Sequence, residues 1–321
     1  MAGLALCFPR HLYNIINQYR RFPRLAEPNY LCLLDARTER EFDDCHIITA
    51  RRIERSRTGA YLVPNPEELV YVRYCVVYDS KTNSLDYDYG EEEDETGTWD
   101  PCQSRPHFLV SLGTEEGTAV LHARNFQQFT RHPVLVLKGG YRRFSAYYPF
   151  LGTQKILWMP QELDNYQPYP VEILPAKLYM GNFKQACDQK MQKDLKIKAL
   201  VNVSEQPATL FAEDGESLHI SVPDTLEADL FSSFPTISHF IDAQLGSGAV
   251  LVFSILGISR SSTATMAYLM HSCRFSLKAA WAYLLKCKTT MRPHRGFVEQ
   301  LSAWEAQIYG SAITDISEPN Y

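Results

Sequence analysis

The stretch Ala249–Ser262, AVLVFSILGISRSS, decides how the chain is read. Its opening, Ala249 to Phe253, is an apolar run of the buried-strand kind. A tight segment follows, Ser254 to Arg260, with a glycine at Gly257. The apolar-periodic run Thr263 to His271 then predicts a helix. Strand, short loop and helix N-terminus make a geometry suited to anions, because loop N–H groups converge and the helix dipole favours negative charge. Arg260 adds a guanidinium able to hold two oxygens of one phosphate. For such a stretch taken alone, the alternative is an ordinary strand–helix turn with Ser259 as N-cap.

The frame resembles the signature loop of the protein tyrosine phosphatases, where His-Cys is followed by five residues and then Arg. Here Ser254 is followed by Ile255, Leu256, Gly257, Ile258 and Ser259, then by Arg260 and Ser261. The resemblance implies a phosphate-binding loop over Ile255 to Ser261. It also puts Ser254 in the cysteine position and Phe253 in the histidine position. A phosphatase cysteine attacks as thiolate, its pKa of about 8.5 drawn down by a helix N-terminus and nearby donors. A serine hydroxyl starts far above that range and needs an adjacent general base. Phe253, Ile255 and Leu256 offer none. The expectation is a phosphatase loop without a competent nucleophile, in a protein that is not an enzyme. The alternative is weak phosphatase activity through Ser254.

Toward the C-terminus, RPHRGFVEQL (Arg292–Leu301) resembles the R-P-x-N-x-G-F-x-x-Q-L ending of the dual-specificity phosphatases. His294 stands where that family has Asn, and Leu256 where it prefers Ala. The resemblance therefore predicts a loop that has lost its Asn support and a cradle crowded by Leu256. Toward the N-terminus, EILPAKLYMGNFKQACDQ (Glu172–Gln189) resembles the same family's opening, and Leu195–Val203 its next helix end and buried strand. Leu218 to Val222 predicts a strand, and Leu230 to Leu245 and Phe275 to Lys286 predict helices. Asp224, between strand and helix, matches the family's general acid, here vestigial.

The first part of the chain carries a second resemblance. LLDARTEREFDDCHIITARRI (Leu33–Ile53) resembles the rhodanese pattern at Asp35, Arg37, Glu41, Phe42, His46, Ile47 and Ala50. The family implies that Asp35 and Arg37 pin the chain after a strand, with His46 in the core or capping. The strand YCVVY (Tyr74–Tyr78) is followed by Asp79, where a sulfurtransferase has its persulfide cysteine. Asp79 is thus a degenerate position and sulfur transfer is not expected. A helix around Val120–Phe129, a strand at Val134–Leu137 and KGGYRRFSAYYP (Lys138–Pro149) complete the pattern. Rhodanese-like followed by dual-specificity phosphatase-like is the MAP kinase phosphatase architecture. Arg51, Arg52, Arg55 and Arg57 lie near that family's basic docking cluster, although Glu54 interrupts them; a solvated loop is the alternative.

The expected organisation is α/β. A rhodanese-like domain spans 1–150, a proline-bearing linker 151–170, a dual-specificity phosphatase-like domain 171–312 and a tail 313–321. The chain has 321 residues, enough for two domains, and no run near the ~20 apolar residues of a membrane span. Its eight cysteines are scattered without C-x-x-C or zinc spacing, which suggests reduced thiols inside the cell. Asp86–Glu95, DYDYGEEEDE, carries seven acids, more than the whole net charge of −5, and reads as a solvated loop. No strong basic face points to nucleic acid, and no metal or cofactor is implied. Expected partners are proteins: phosphoproteins, kinases or active phosphatases. The first 25 residues hold Arg10, Arg20, Arg21 and Arg24 and no acid. They read as a helix, Arg10–Tyr19, packing Leu12, Ile15 and Ile16 in a cytoplasmic protein; a mitochondrial presequence is the alternative.

Overall fold

The structure, a computed structural model, describes residues 3–20, 22–85, 117–157, 160–163, 165–318 and 321. The acidic stretch Asp86–Glu95 lies outside the described residues. Contacts divide the chain into two units, Met1–Pro9 with Leu31–Leu157, and Arg10–Tyr30 with Trp158–Tyr321. Among the described residues no helix is long and apolar enough to cross a membrane.

The first unit is built on five parallel strands: β1 (Leu4–Cys7), β2 (Leu31–Asp35), β3 (Arg51–Arg52), β4 (Tyr74–Tyr78) and β5 (Val134–Leu137). Their order is β1-β5-β4-β2-β3. The central strands are near-continuous Val, Leu and Cys because parallel sheets are covered on both faces. Helix Thr118–Phe126 buries Ala119, Val120, Ala123 and Phe126 against them. Helix Glu39–Asp44 starts with a reciprocal capping box between Thr38 and Glu41.

The second unit carries β6 (Val171–Leu174), β7 (Leu178–Asn182), β8 (Ile197–Asn202), β9 (Glu216–His219) and β10 (Ala249–Ser254), ordered β6-β7-β10-β8-β9. Only the β6–β7 pair is antiparallel. β10 sits at the centre and every one of its residues is buried. Helix Arg260–Ser272 leaves it, packed among Phe234–Gln244, Leu277–Cys287 and Arg295–Tyr309. The predicted strand Leu218–Val222 is shifted: β9 ends at His219, and the Val222 carbonyl turns to accept from Arg260 instead of continuing the ladder.

The division of the chain differs from the expected one near its start. Arg10–Tyr30, read with the first domain, belongs to the second unit. Its helix, Pro9–Ile16, buries Leu12, Ile15 and Ile16 as expected. However, Asn14 exchanges two hydrogen bonds with the Glu172 backbone, 2.9 and 2.8 Å, and so pairs an edge strand of the second sheet. Gln18 likewise donates to Cys287 O and accepts from Thr289 N. Both ends of the linker are built in: Gly152–Thr153 pairs with His46–Ile47 in the first unit, while Tyr169 N donates to Asn17 in the second. The tail is not free, since buried Glu305 accepts from Ile313 N, Thr314 N and Thr314 Oγ1, and Tyr321 meets the Trp281 ring.

Candidate functional site

β10 delivers Phe253 and Ser254 to the carboxyl end of the parallel strands, where an α/β sheet presents its ligand site. Phe253 is fully buried between register partners Gly181 and Asn202, its ring 6.1 Å from that of Phe183. An aromatic there fills an apolar slot and offers no proton chemistry. Ser254 is 2% exposed; its hydroxyl donates to Ser261 Oγ at 3.2 Å and accepts from Gly257 N at 3.2 Å. Those are its hydrogen bonds among the described residues, and neither partner is a general base. Gly257 adopts a φ of +67°, and a Cβ there would lie 2.5 Å from Gly181 O. Only glycine lets the loop press this closely on β7.

The helix after the loop begins at Arg260, earlier than the predicted Thr263. Ser261, Ser262, Thr263 and Thr265 are fully buried. Ser262, Thr263 and Thr265 donate their hydroxyls to the carbonyls of Ile258, Ser259 and Ser261, which satisfies these polar groups inside a helix buried all round. Ser259 precedes the helix without making a side-chain cap. Its hydroxyl accepts instead from His294 N at 3.4 Å.

Arg260 is 5% exposed and donates Nη1 to Val222 O at 2.6 Å. Glu205 Oε2 stands 3.7 Å from Nη1, and Asp224 Oδ2 3.6 Å from Nε. On the other side of Asp224, His294 Nε2 lies 3.7 Å from Oδ1. His294 Nδ1 accepts from Phe297 N, capping helix Arg295–Tyr309, which leaves the ring proton on Nε2. Arg260 Nε and His294 Nε2 are therefore two buried donors without a hydrogen-bond partner among the described residues, set on either side of one carboxylate. Such a pair is a polarity suited to an oxyanion.

The two predicted departures fare differently. At residue 294 the contacts to the loop come from the backbone, His294 N to Ser259 Oγ at 3.4 Å and, nearby, Arg292 N to Ile258 O at 3.0 Å, while the His294 ring caps the next helix. Leu256 is 64% exposed and does not fill the cradle. The loop residues Ile255, Gly257, Ile258 and Ser259, with Arg260, Ser261 and Asp224, are thus brought together around Ser254. Sequence reasoning missed Glu205 and the Val222 carbonyl; the end of a buried parallel strand at Asn202 was the available signal for Glu205.

In the first unit, Asp79 follows β4 and its carboxylate accepts from Lys81 N, Thr82 N, Thr82 Oγ1 and Ala119 N at 2.5–3.0 Å. Asp79 therefore ties the loop after β4 to the start of helix Thr118–Phe126. Buried Asp35 accepts Arg37 N, Nε and Nη2, and Arg37 lies 3.8 Å over the Tyr141 ring. His46 is buried, bonded to Phe42 O and Lys155 O and stacked on Phe42. Of the arginines, Arg51 reaches Glu68, Arg52 reaches Glu39 and Glu54, and Arg55 reaches Tyr61 and His122. Among the described residues no cluster of three or more His, Cys, Asp or Glu could hold a metal.

Comparison with known proteins assigns the class. The family described as dual specificity phosphatase, catalytic domain, matches residues 178–307. Dual specificity protein phosphatase 1-A of Xenopus laevis is 30% identical over 323 aligned positions, covering 88% of this chain and 80% of that protein. The chain belongs to the dual specificity protein phosphatase family. Dual specificity protein phosphatase Mpk3 of Drosophila melanogaster is 37% identical over 147 residues, 45% of this chain and 36% of its own length. Among solved structures, the human tyrosine phosphatase-like serine/threonine/tyrosine-interacting protein is 27% identical, covers 42% of this chain and 95% of that one, and has a TM-score of 0.39.

Proposed function

We propose that this chain is a catalytically inactive member of the family, a pseudophosphatase that regulates phosphorylation signalling by binding. The observation that carries the reading is the environment of Ser254. Its hydroxyl is bonded to Ser261 Oγ and Gly257 N with no general base beside it, and Phe253 occupies the histidine position as packed core. Helix dipole and donors that would ionise a thiol leave an alcohol protonated. The first unit is read as a rhodanese-like domain without its persulfide cysteine, on the motif around Asp35 and Arg37 and on Asp79. Together these point to the serine/threonine/tyrosine-interacting-like type. The partners would be phosphoproteins, kinases or active phosphatases.

The retained cradle supports weak oxyanion recognition through Arg260 and His294. Thermal unfolding of the full chain in phosphate, sulfate or vanadate tests it, since protection follows RT ln(1 + [L]/Kd). A modest rise in Tm is expected, reduced in Arg260→Lys and His294→Phe. No rise up to tens of millimolar, or the same rise in both variants, rejects phosphate recognition by the loop.

A further inference from the structure

At the opposite end of the second sheet lies a cleft of about 530 Å³. It is lined by Lys193, Lys196 and Lys198, with Ile197, Phe211 and Gln192 among the residues between them. It opens beside Gly248, just before β10, whereas Ser254 ends that strand. Six steps of extended chain separate Gly248 from Ser254, about 20 Å. The cleft is therefore distinct from the signature loop.

Three features make it a binding site of defined chemistry. Lys193 and Lys196 are exposed and Lys198 is half-buried, and among the described residues none of the three is paired with a carboxylate. Three unpaired ammonium groups around one concavity raise the local concentration of anions. Phe211 is 43% exposed, although it stands on a pinned segment: buried Gln192 accepts from Phe211 N at 2.9 Å and donates to Thr209 O at 2.9 Å. An exposed aromatic ring carried on a backbone segment pinned by a buried amide offers an apolar contact. Gly248 completes the wall, because a Cβ there would lie 2.4 Å from Lys198 Cγ; its absence lets the lysine stem lie along the cleft.

We infer that this cleft binds an acidic peptide segment carrying an aromatic side chain. Carboxylates would pair with the three lysines while the aromatic packs on Phe211 and Ile197. A polyanion without apolar surface would leave Phe211 uncovered. Lysine suits carboxylates spaced along a flexible peptide, being a point charge on a long stem rather than the planar fork that arginine offers to one phosphate.

Fluorescence anisotropy on the full chain tests this with a labelled octapeptide of alternating glutamate and tyrosine. Controls are the same peptide with alanine for tyrosine, and unlabelled inositol hexakisphosphate as competitor. The glutamate–tyrosine peptide should bind, the alanine peptide clearly more weakly. Lys193→Gln/Lys196→Gln/Lys198→Gln should weaken binding roughly tenfold, as expected for three ion pairs open to solvent in whole or in part. Phe211→Ala should weaken it several-fold, and Ser254→Ala should leave it unchanged. Unfolding curves matching wild type establish that the variants fold. Equal binding of the alanine peptide with no effect of Phe211→Ala, or displacement by inositol hexakisphosphate alone with both peptides equivalent, would reduce the cleft to a polyanion surface and overturn the proposal. So would failure of the glutamate–tyrosine peptide to bind.

Discussion

Restoring the nucleophile pair, Phe253→His with Ser254→Cys, should produce phosphatase activity, and the size of the effect follows from the loop. A cysteine sulfur at position 254 would sit where Ser254 Oγ now meets Gly257 N and Ser261 Oγ, each at 3.2 Å. It would also face the N-terminus of the helix Arg260–Ser272. Helix N-termini and such donors lower a thiol from about 8.5 to about 5.5. At pH 6.5 the thiolate fraction then rises from about 1% to about 90%, whereas the serine contributes essentially none. Leu256, 64% exposed, leaves the cradle clear, and Asp224 already stands 3.6 Å from Arg260. Initial rates on an aryl phosphate between about pH 5 and 8 should show an acid limb from the cysteine. Ser254→Cys alone should be slower, and adding Asp224→Asn should remove most of the restored rate. A folded double variant with no turnover anywhere in that range would refute the view that the rest of the active site is intact.

Other expectations rest on single residues. Gly257→Ala should lower stability by about 2 kcal/mol or more in urea unfolding, because a Cβ at a φ of +67° would also press on Gly181 O at 2.5 Å. Asp79→Ala should cost about 2–4 kcal/mol, since it strips the partner from Lys81 N, Thr82 N and Ala119 N; a neutral result would deny Asp79 its anchoring role. Burial pushes the Lys288 amine down to about 8. Below that pH its charged form penalises the fold, and the penalty fades as pH climbs toward the unfolded value near 10.5. Lys288→Met should therefore stabilise by about 1–3 kcal/mol at pH 7 and by much less at pH 10. An equal gain at both pH values would contradict it.

How much could be read from the chain alone depended on where the partners of each residue lie. The strands Tyr74–Tyr78, Val134–Leu137 and Ala249–Ser254 are legible because parallel strands covered on both faces need continuous apolar runs. The signature frame was equally legible, being a local spacing on a local loop. The start of the helix at Arg260 was hidden, since a helix buried all round loses its amphipathic period and its Ser and Thr residues imitate a loop. The placement of Arg10–Tyr30 was not legible either: Asn14 meets Glu172 across 158 residues, and no local pattern announces an amide that completes a sheet edge. The capping of helix Arg295–Tyr309 by the His294 imidazole was not legible, because residue type alone does not announce a ring nitrogen standing where an amide oxygen commonly caps. The lysine cleft escaped notice because Lys193, Lys196 and Lys198 read as an ordinary helix end entering a strand.

The central claim is that a buried serine without a base leaves this phosphatase loop unable to turn over substrate. The direct measurement is hydrolysis of a phosphotyrosine peptide by the pure 321-residue chain, wild type beside Ser254→Ala, followed as phosphate release. The account predicts rates for both that are indistinguishable from buffer. Release above buffer by wild type that disappears in Ser254→Ala would contradict it, because Ser254 would then be a working nucleophile.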